Sequence, residues 1–105
     1  MTESAFISLS EGVLQAIQKA LDDSDLEQDN LLQDGVLTIE LDHSSPIIVT
    51  RHVANQEIWL AARSGGYHYA YQPDGWRNTR SGEEFFANLA ACLSTQSGVP
   101  FSFSA

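Results

Sequence analysis

The apolar residues near the start of the chain repeat at intervals of three and four positions. This spacing places one stripe of apolar side chains along a helix, so it predicts an amphipathic helix over residues 4–23. Such a helix needs a second element to cover its stripe. The stripe consists of Phe6, Leu9, Val13, Ile17, Ala20 and Leu21.

A second helical repeat lies near the other end of the chain. It opens on SGEE at residues 81–84, which predicts a capping box in which Ser81 and Glu84 each bind a backbone amide of the first turn. Gly98 favours the left-handed conformation that ends a helix, and Pro100 prevents the helix from resuming. The apolar residues between these ends are Phe85, Phe86, Leu89, Cys92 and Leu93.

Between the two helices the apolar repeat changes to every second residue. Leu37, Ile39 and Leu41 alternate with polar residues after the dipeptide Asp34-Gly35, which is typical of a hairpin turn. Further strands are predicted at residues 47–52, 57–62, 66–71 and 76–79, and their short links favour antiparallel neighbours. We therefore expect an α+β two-layer sandwich in which both helices pack on one face of an antiparallel β-sheet, with a single domain over residues 1–105.

Alternation along the strands also predicts which residues lie on the face away from the helices. In the strand at 57–62, Ile58, Leu60 and Ala62 are expected to point inward. Because side chains alternate, Trp59 then shares the outer face with Glu57. In the strand at 66–71 the tyrosines at 67, 69 and 71 are expected in the core, with His68 outside. An indole on an open sheet face is a common anchor for a protein partner; cover by a neighbouring side chain or loop is the alternative.

The excess negative charge is confined to the first half of the chain. The sequence has 14 acidic residues against 5 Lys and Arg, a net charge of −9, and residues 51–105 are balanced. This charge argues against nucleic acid and membrane partners, and favours cations or basic protein surfaces. No apolar run approaches the ~20 residues of a membrane span, and the N-terminal residues do not resemble a signal peptide, so we expect a cytoplasmic protein.

The residue types needed for catalysis or for a tight metal site are scarce. The single cysteine, Cys92, cannot form an internal disulfide or supply the thiolates of a cluster, and its helical spacing predicts a small buried hydrophobe. His43, His52 and His68 lack the spacing of metal ligands, and the sequence contains no nucleophile elbow. We therefore expect a protein that is not an enzyme.

The strongest candidate for a site is the acidic segment at residues 22–29. It does not fit an EF-hand loop, because a loop beginning at Asp23 would place Gln28 where glycine is required and Asp34 where a bidentate glutamate is required. The acids lie at and beyond the C-terminal end of the first helix, where the helix dipole disfavours negative charge. Uncaged carboxylates would bind iron, calcium or manganese weakly, or dock a basic surface; simple solvated charge is the alternative.

The residues and motifs of this chain, taken in order, resemble those of the bacterial frataxin (CyaY) family. The resemblance runs from LDD at residues 21–23 through GVLTI at 35–39 and IWLA at 58–61. It continues with SGGYHY at 64–69, Trp76, RSGE at 80–83 and Phe85. It covers essentially the whole chain, and the combination of motifs is specific. The family has the helix, sheet and helix arrangement that the periodicity predicts.

This resemblance implies a non-enzymatic role in iron–sulfur cluster assembly. It implies weak binding of iron, as Fe²⁺ or Fe³⁺, and of other divalent cations. It also implies that the protein is a monomer and that it regulates a cysteine desulfurase together with the iron–sulfur scaffold protein. The metal-binding acidic ridge carries over to Asp22, Asp23, Asp25, Glu27 and Asp29. The partner-binding sheet face carries over to Trp59, His68, Arg51 and His52.

The chain departs from the family pattern in two places. NLLQ at residues 30–33 stands where bacterial members usually continue their acids, so the strand half of the ridge is thinned. TRH at residues 50–52 replaces the usual Asn-Arg/Lys-Gln, so altered contacts to the scaffold are expected. The alternative function is an acidic protein-binding module whose metal binding is incidental.

Overall fold

Two helices and six strands make up the part of the chain that the structure describes. This computed structural model describes residues 1–42 and 44–103, so His43 lies outside the described residues. The six strands form one sheet in which strands consecutive in the chain pair antiparallel, which confirms the predicted α+β sandwich. Neither described helix has the length and hydropathy to cross a membrane. The elements are α1 (Glu3–Asp22), β1 (Gln28–Gln33), β2 (Val36–Leu41), β3 (Ile47–His52), β4 (Glu57–Ala62), β5 (Gly65–Gln72), β6 (Gly75–Asn78) and α2 (Phe85–Ser97).

The stripe that α1 buries is shifted around the helix relative to the expected one. Thr2 caps the helix, and its hydroxyl accepts a hydrogen bond from the Ala5 amide at 3.1 Å. Leu9 is 41% exposed, because it lies about 90° around the helix from the centre of the buried stripe at 100° per residue. The residues that α1 buries are Phe6, Ser10, Val13, Leu14, Ile17 and Leu21.

The hydrophobic core lies between the helices and one face of the sheet. Tyr69 is fully buried there, and its hydroxyl donates to Asn88 Oδ1 of α2 at 2.7 Å. Tyr67 is only half-buried and Tyr71 is 42% exposed, so one of the three tyrosines expected in the core lies wholly within it. The other buried strand residues are Leu37, Ile39, Leu41, Ile47, Val49, Ile58, Leu60 and Trp76.

The apolar pattern does not predict β1, which pairs with β2 along its whole length from Gln28–Leu41 to Gln33–Val36. Its sequence QDNLLQ packs only one apolar side chain, Leu32, against the core, whereas Leu31 is 62% exposed. Backbone pairing therefore forms this edge strand. The pairing follows from the turn at Asp34-Gly35, whose φ angles of 53° and 76° are those of a tight hairpin.

The start of α2 differs from the predicted capping box. Glu84 is the N-cap residue, and its carboxylate accepts hydrogen bonds from the Phe86 and Ala87 amides at 2.8 and 3.1 Å. Ser81 Oγ instead accepts from the Glu83 amide within the preceding turn, at 3.2 Å. A carboxylate at the N-cap can accept from two amides at once, so the helix begins one turn later than the hydroxyl-based pattern indicates. Gly98 ends α2 in the left-handed conformation, with φ of 75°.

We expect Leu14→Ala to lower the free energy of unfolding by about 2–5 kcal/mol, because Leu14 is fully buried and its removal leaves a cavity between α1 and the sheet. Leu9→Ala makes the same chemical change on the same helix at a largely exposed position, and should cost less than ~1 kcal/mol. Urea denaturation followed by circular dichroism measures both. Equal losses would contradict the burial of α1 described above.

Candidate functional site

The acids predicted to bind metal are spread over three consecutive segments. Asp22 and Asp23 lie at the end of α1, Asp25 and Glu27 lie in the link, and Asp29 lies in β1; all five are exposed. Among the described residues, no group of three or more His, Cys, Asp or Glu side chains is arranged to hold a metal ion. The surface therefore supplies hard oxygen donors without a preformed cage.

Two of these acids have partners within the protein. Lys19 Nζ lies 2.7 Å from Asp23 Oδ2. This hydrogen bond is the main reason why the pKa of Lys19 is raised, and the negative charge of Asp23 raises it further. Asn30 in β1 donates to Asp22 Oδ1 at 3.1 Å, while its own Oδ1 accepts from Gln18 at 2.9 Å. Asn30 therefore joins the end of α1 to β1 at the point where the acids gather.

A carboxylate pair that the pattern analysis missed lies on the face of the sheet away from the helices, which we call the open face. Asp29 in β1 is directly opposite Glu40 in β2, and both side chains are exposed. Residues opposite each other in an antiparallel pair share a face, and like charges there repel. The signal was available in the sequence, because a two-residue turn at Asp34-Gly35 sets the register that brings these acids together.

Three aromatic rings from neighbouring strands are stacked on the open face. Trp59 lies between His52 and His68, with ring centroids 3.9 and 4.3 Å away and planes within 7° and 6° of parallel. We call these three side chains the ring stack. Trp59 Nε1 donates to Glu57 Oε1 at 2.9 Å, and His68 Nδ1 lies 3.7 Å from the same oxygen. Trp59 is therefore on the outer face, as predicted, and is half-buried because its neighbours cover it.

Arg51 lies on the opposite face of the sheet from the ring stack. It pairs with the core residue Ile58, and its guanidinium lies 3.1 Å from Glu11 Oε2 of α1 with 19% of the side chain exposed. The guanidinium also packs closely on the hairpin turn at Gly35. A Cβ atom added to Gly35 would lie only 2.7 Å from Arg51 Nε. The open face thus brings together three of the four residues expected to bind a partner, and Arg51 is not among them.

Cys92 lines a surface cavity of about 460 Å³ between α2 and β5, beside Ser64 and Tyr67. The side chain is half-buried and packs against the core. Burial raises the pKa of the Cys92 thiol, and a protonated thiol is a poor nucleophile and a poor metal ligand. These contacts suit the packing role that its helical spacing indicates.

We expect Asp29→Asn and Glu40→Gln each to raise the free energy of unfolding by about 0.2–1 kcal/mol, because either change removes the repulsion between facing carboxylates. Since both changes remove the same repulsion, the double variant should gain less than the sum of the two. Urea denaturation at low salt measures the cycle, and Asp74→Asn, an acid paired with Arg77, is the control that should not stabilise. Strict additivity, or gains undiminished in 1 M salt, would contradict the repulsion.

The chain is similar to known proteins in both sequence and fold. The family described as the frataxin-like domain matches residues 1–99. The iron-sulfur cluster assembly protein CyaY of Chromobacterium violaceum is 44% identical over 103 residues, 98% of each chain. The CyaY of Variovorax paradoxus is 43% identical over 109 residues, 100% of this chain and 99% of that protein. The solved structure of frataxin from Psychromonas ingrahamii superposes on this chain with a TM-score of 0.93 and 30% identity, and the match covers 100% of both chains. The chain belongs to the frataxin-like family.

Proposed function

We propose that this protein is a non-enzymatic adaptor that regulates iron–sulfur cluster assembly in the bacterial cytoplasm. It acts on a complex of a cysteine desulfurase with its scaffold protein. Two relatives that match nearly its whole length carry the name iron-sulfur cluster assembly protein. The observation that carries the proposal is that the Asp29–Glu40 pair and the ring stack share the face of the sheet that the helices leave uncovered.

The exposed acids provide the long-range part of recognition. Of the ion pairs among the described residues, only that of Lys19 with Asp23 involves one of the five predicted ridge acids. The other four carboxylates keep their charge available to a basic surface. Complementary charge speeds association and orients the encounter, which suits docking on the basic face of a desulfurase.

The ring stack provides the short-range part of recognition. Trp59 and His68 lie on a sheet face that the helices do not cover, and 48% of the His68 side chain is exposed. Large rings held in one conformation lose little entropy on binding, so they favour docking of a second protein. We assign this face to the scaffold protein, with His52 as part of the contact.

Iron is cargo in this proposal. Asp29 and Glu40 face each other across two strands, so together they can hold a hydrated cation through one oxygen from each side chain and several waters. Such a site binds weakly and selects poorly among divalent ions, because no cage restricts its size or coordination number. Weak binding suits transient loading of Fe²⁺ or Fe³⁺ at an exposed surface.

A second candidate function is an acidic protein-binding module whose metal binding is incidental. It is favoured by one observation: the described residues include no group of three metal-ligating side chains. The two candidates share the docking face and differ only in whether the carboxylates are needed for their charge or for a bound ion.

In an NMR titration with Mn²⁺, we expect the amides of Asp29 and Glu40 to broaden before those of the distant β5–β6 turn, because paired carboxylates bind a hard cation better than isolated ones. The double variant Asp29→Asn with Glu40→Gln should remove this early broadening. Asp74→Asn, which changes an exposed acid outside the ridge, should leave it unchanged. Broadening that is uniform over the surface would contradict a metal site here.

Binding to the desulfurase should weaken by on the order of tenfold or more as salt rises from 0.05 to 0.5 M, because exposed charges are screened. The double variant Asp22→Asn with Asp25→Asn should weaken binding at low salt, and Asp74→Asn should not. Isothermal titration calorimetry measures each case. If the double variant Asp29→Asn with Glu40→Gln loses Mn²⁺ affinity but regulates the desulfurase normally, the protein-binding module is the better description. Affinity that does not depend on salt contradicts both.

A further inference from the structure

The side chain of Trp59 is fixed on three sides. His52 and His68 cover the two faces of the indole at van der Waals distance, with planes within 7° of parallel. Glu57 binds the indole N–H at 2.9 Å, and only 18% of the Glu57 side chain is exposed. Rotation of the indole would break this hydrogen bond and separate both stacked pairs. The orientation of Trp59 is therefore set before any partner arrives.

This arrangement decides which part of Trp59 a partner can meet. Neither face of the indole is open, because an imidazole lies on each. The N–H donor is already used by Glu57. What remains is the outer edge of the indole, flanked by the edges of two imidazoles. An indole that inserts into a pocket on another protein needs at least one free face, so this one is not built for insertion.

His52 carries an additional sign that its ring serves the stack. Its Nδ1 is buried and has no hydrogen-bond partner among the described residues. A buried polar atom without a partner costs free energy, so the imidazole is not held there by its hydrogen bonds. The contact that the ring does make is the 3.9 Å stack on Trp59.

We propose that His52 and Glu57 are positioning residues that hold the indole of Trp59 with its outer edge toward the partner. The ring stack then docks as one preorganised surface made of three ring edges, which we call the plate. The inference rests on the proposed function, which assigns this face to the scaffold protein. The plate fits a flat protein surface that offers a hydrogen-bonding group to the exposed imidazole of His68. It does not fit an apolar pocket that would enclose the indole. Glu57 acts only through Trp59, and His52 does so in addition to its own place in the contact. Both reduce the conformational freedom of the indole that binding would otherwise remove.

The first test follows the Trp59 Nε1–H signal in ¹⁵N NMR of the full chain, with the buried Trp76 as an internal control for folding. Glu57→Ala should speed hydrogen exchange of this N–H by at least about fivefold, because its acceptor is lost. Glu57→Gln keeps an acceptor oxygen and should stay within about twofold of the parent. Equal exchange in Glu57→Ala and the parent, or equal acceleration in both variants, would overturn the positioning role of Glu57.

The second test measures affinity for the scaffold protein by isothermal titration calorimetry. His52→Ala should weaken binding by about two- to tenfold, because it releases one face of the indole and restores its freedom. His52→Phe keeps a stacking ring without the unpartnered nitrogen and should restore the affinity. Asp74→Asn is the control. If the indole inserts into a pocket, His52→Ala binds as well as the parent or more tightly, which would overturn the plate.

The two tests separate this inference from the proposed function. If the parent protein does not bind the scaffold, the assignment of the open face fails, and the NMR test still decides whether Glu57 positions Trp59. If the parent binds and His52→Phe fails to restore what His52→Ala loses, then His52 contributes through its nitrogens rather than by stacking, and its positioning role is overturned.

Discussion

Burial of two helices against one face of the sheet is the constraint on which the other features depend. The fully buried strand residues, from Leu37 in β2 to Tyr69 in β5, all point toward α1 and α2. Because side chains alternate along a strand, a shift of one residue in any strand would move its apolar set to the open face. The core therefore sets the register, and the register sets which residues the open face presents. The ring stack follows from packing on the other side of the sheet, whereas the turn at Asp34-Gly35 sets the register of the Asp29–Glu40 pair.

Polar contacts at the edge of this core organise the acidic end of the protein. The Asn30 side-chain amide donates to the Asp22 carboxylate and accepts from the Gln18 amide, so it holds β1 against the C-terminal part of α1. Near the hairpin turn, Arg51 joins β3 to α1 through Glu11. Its guanidinium is largely buried there, so it stabilises the contact by packing as well as by charge. Exposed ion pairs contribute little to stability. The ion pair of Lys19 with Asp23 at this end of the protein therefore adds little to the free energy of unfolding.

Much of the site follows from the sequence, and the remainder depends on register. Period-two alternation places Trp59 on the outer face without further information, because Ile58 and Leu60 must point inward. The bond from Trp59 to Glu57 is local to β4, but the stack of His52, Trp59 and His68 needs more, since three strands have to be aligned before these rings meet. The apolar pattern does not predict β1, because an edge strand can be held by backbone pairing with little burial of apolar side chains.

The sequence by itself determined the fold class, the presence of both helices, the acidic character of the first half and the family resemblance. Each of these depends on residue type and local spacing, which are properties of the chain. Only the tertiary structure decided that Arg51 turns inward to Glu11 and that two imidazoles cover Trp59. These contacts join side chains of different helices and strands, so they exist only once those elements are packed and in register around the core.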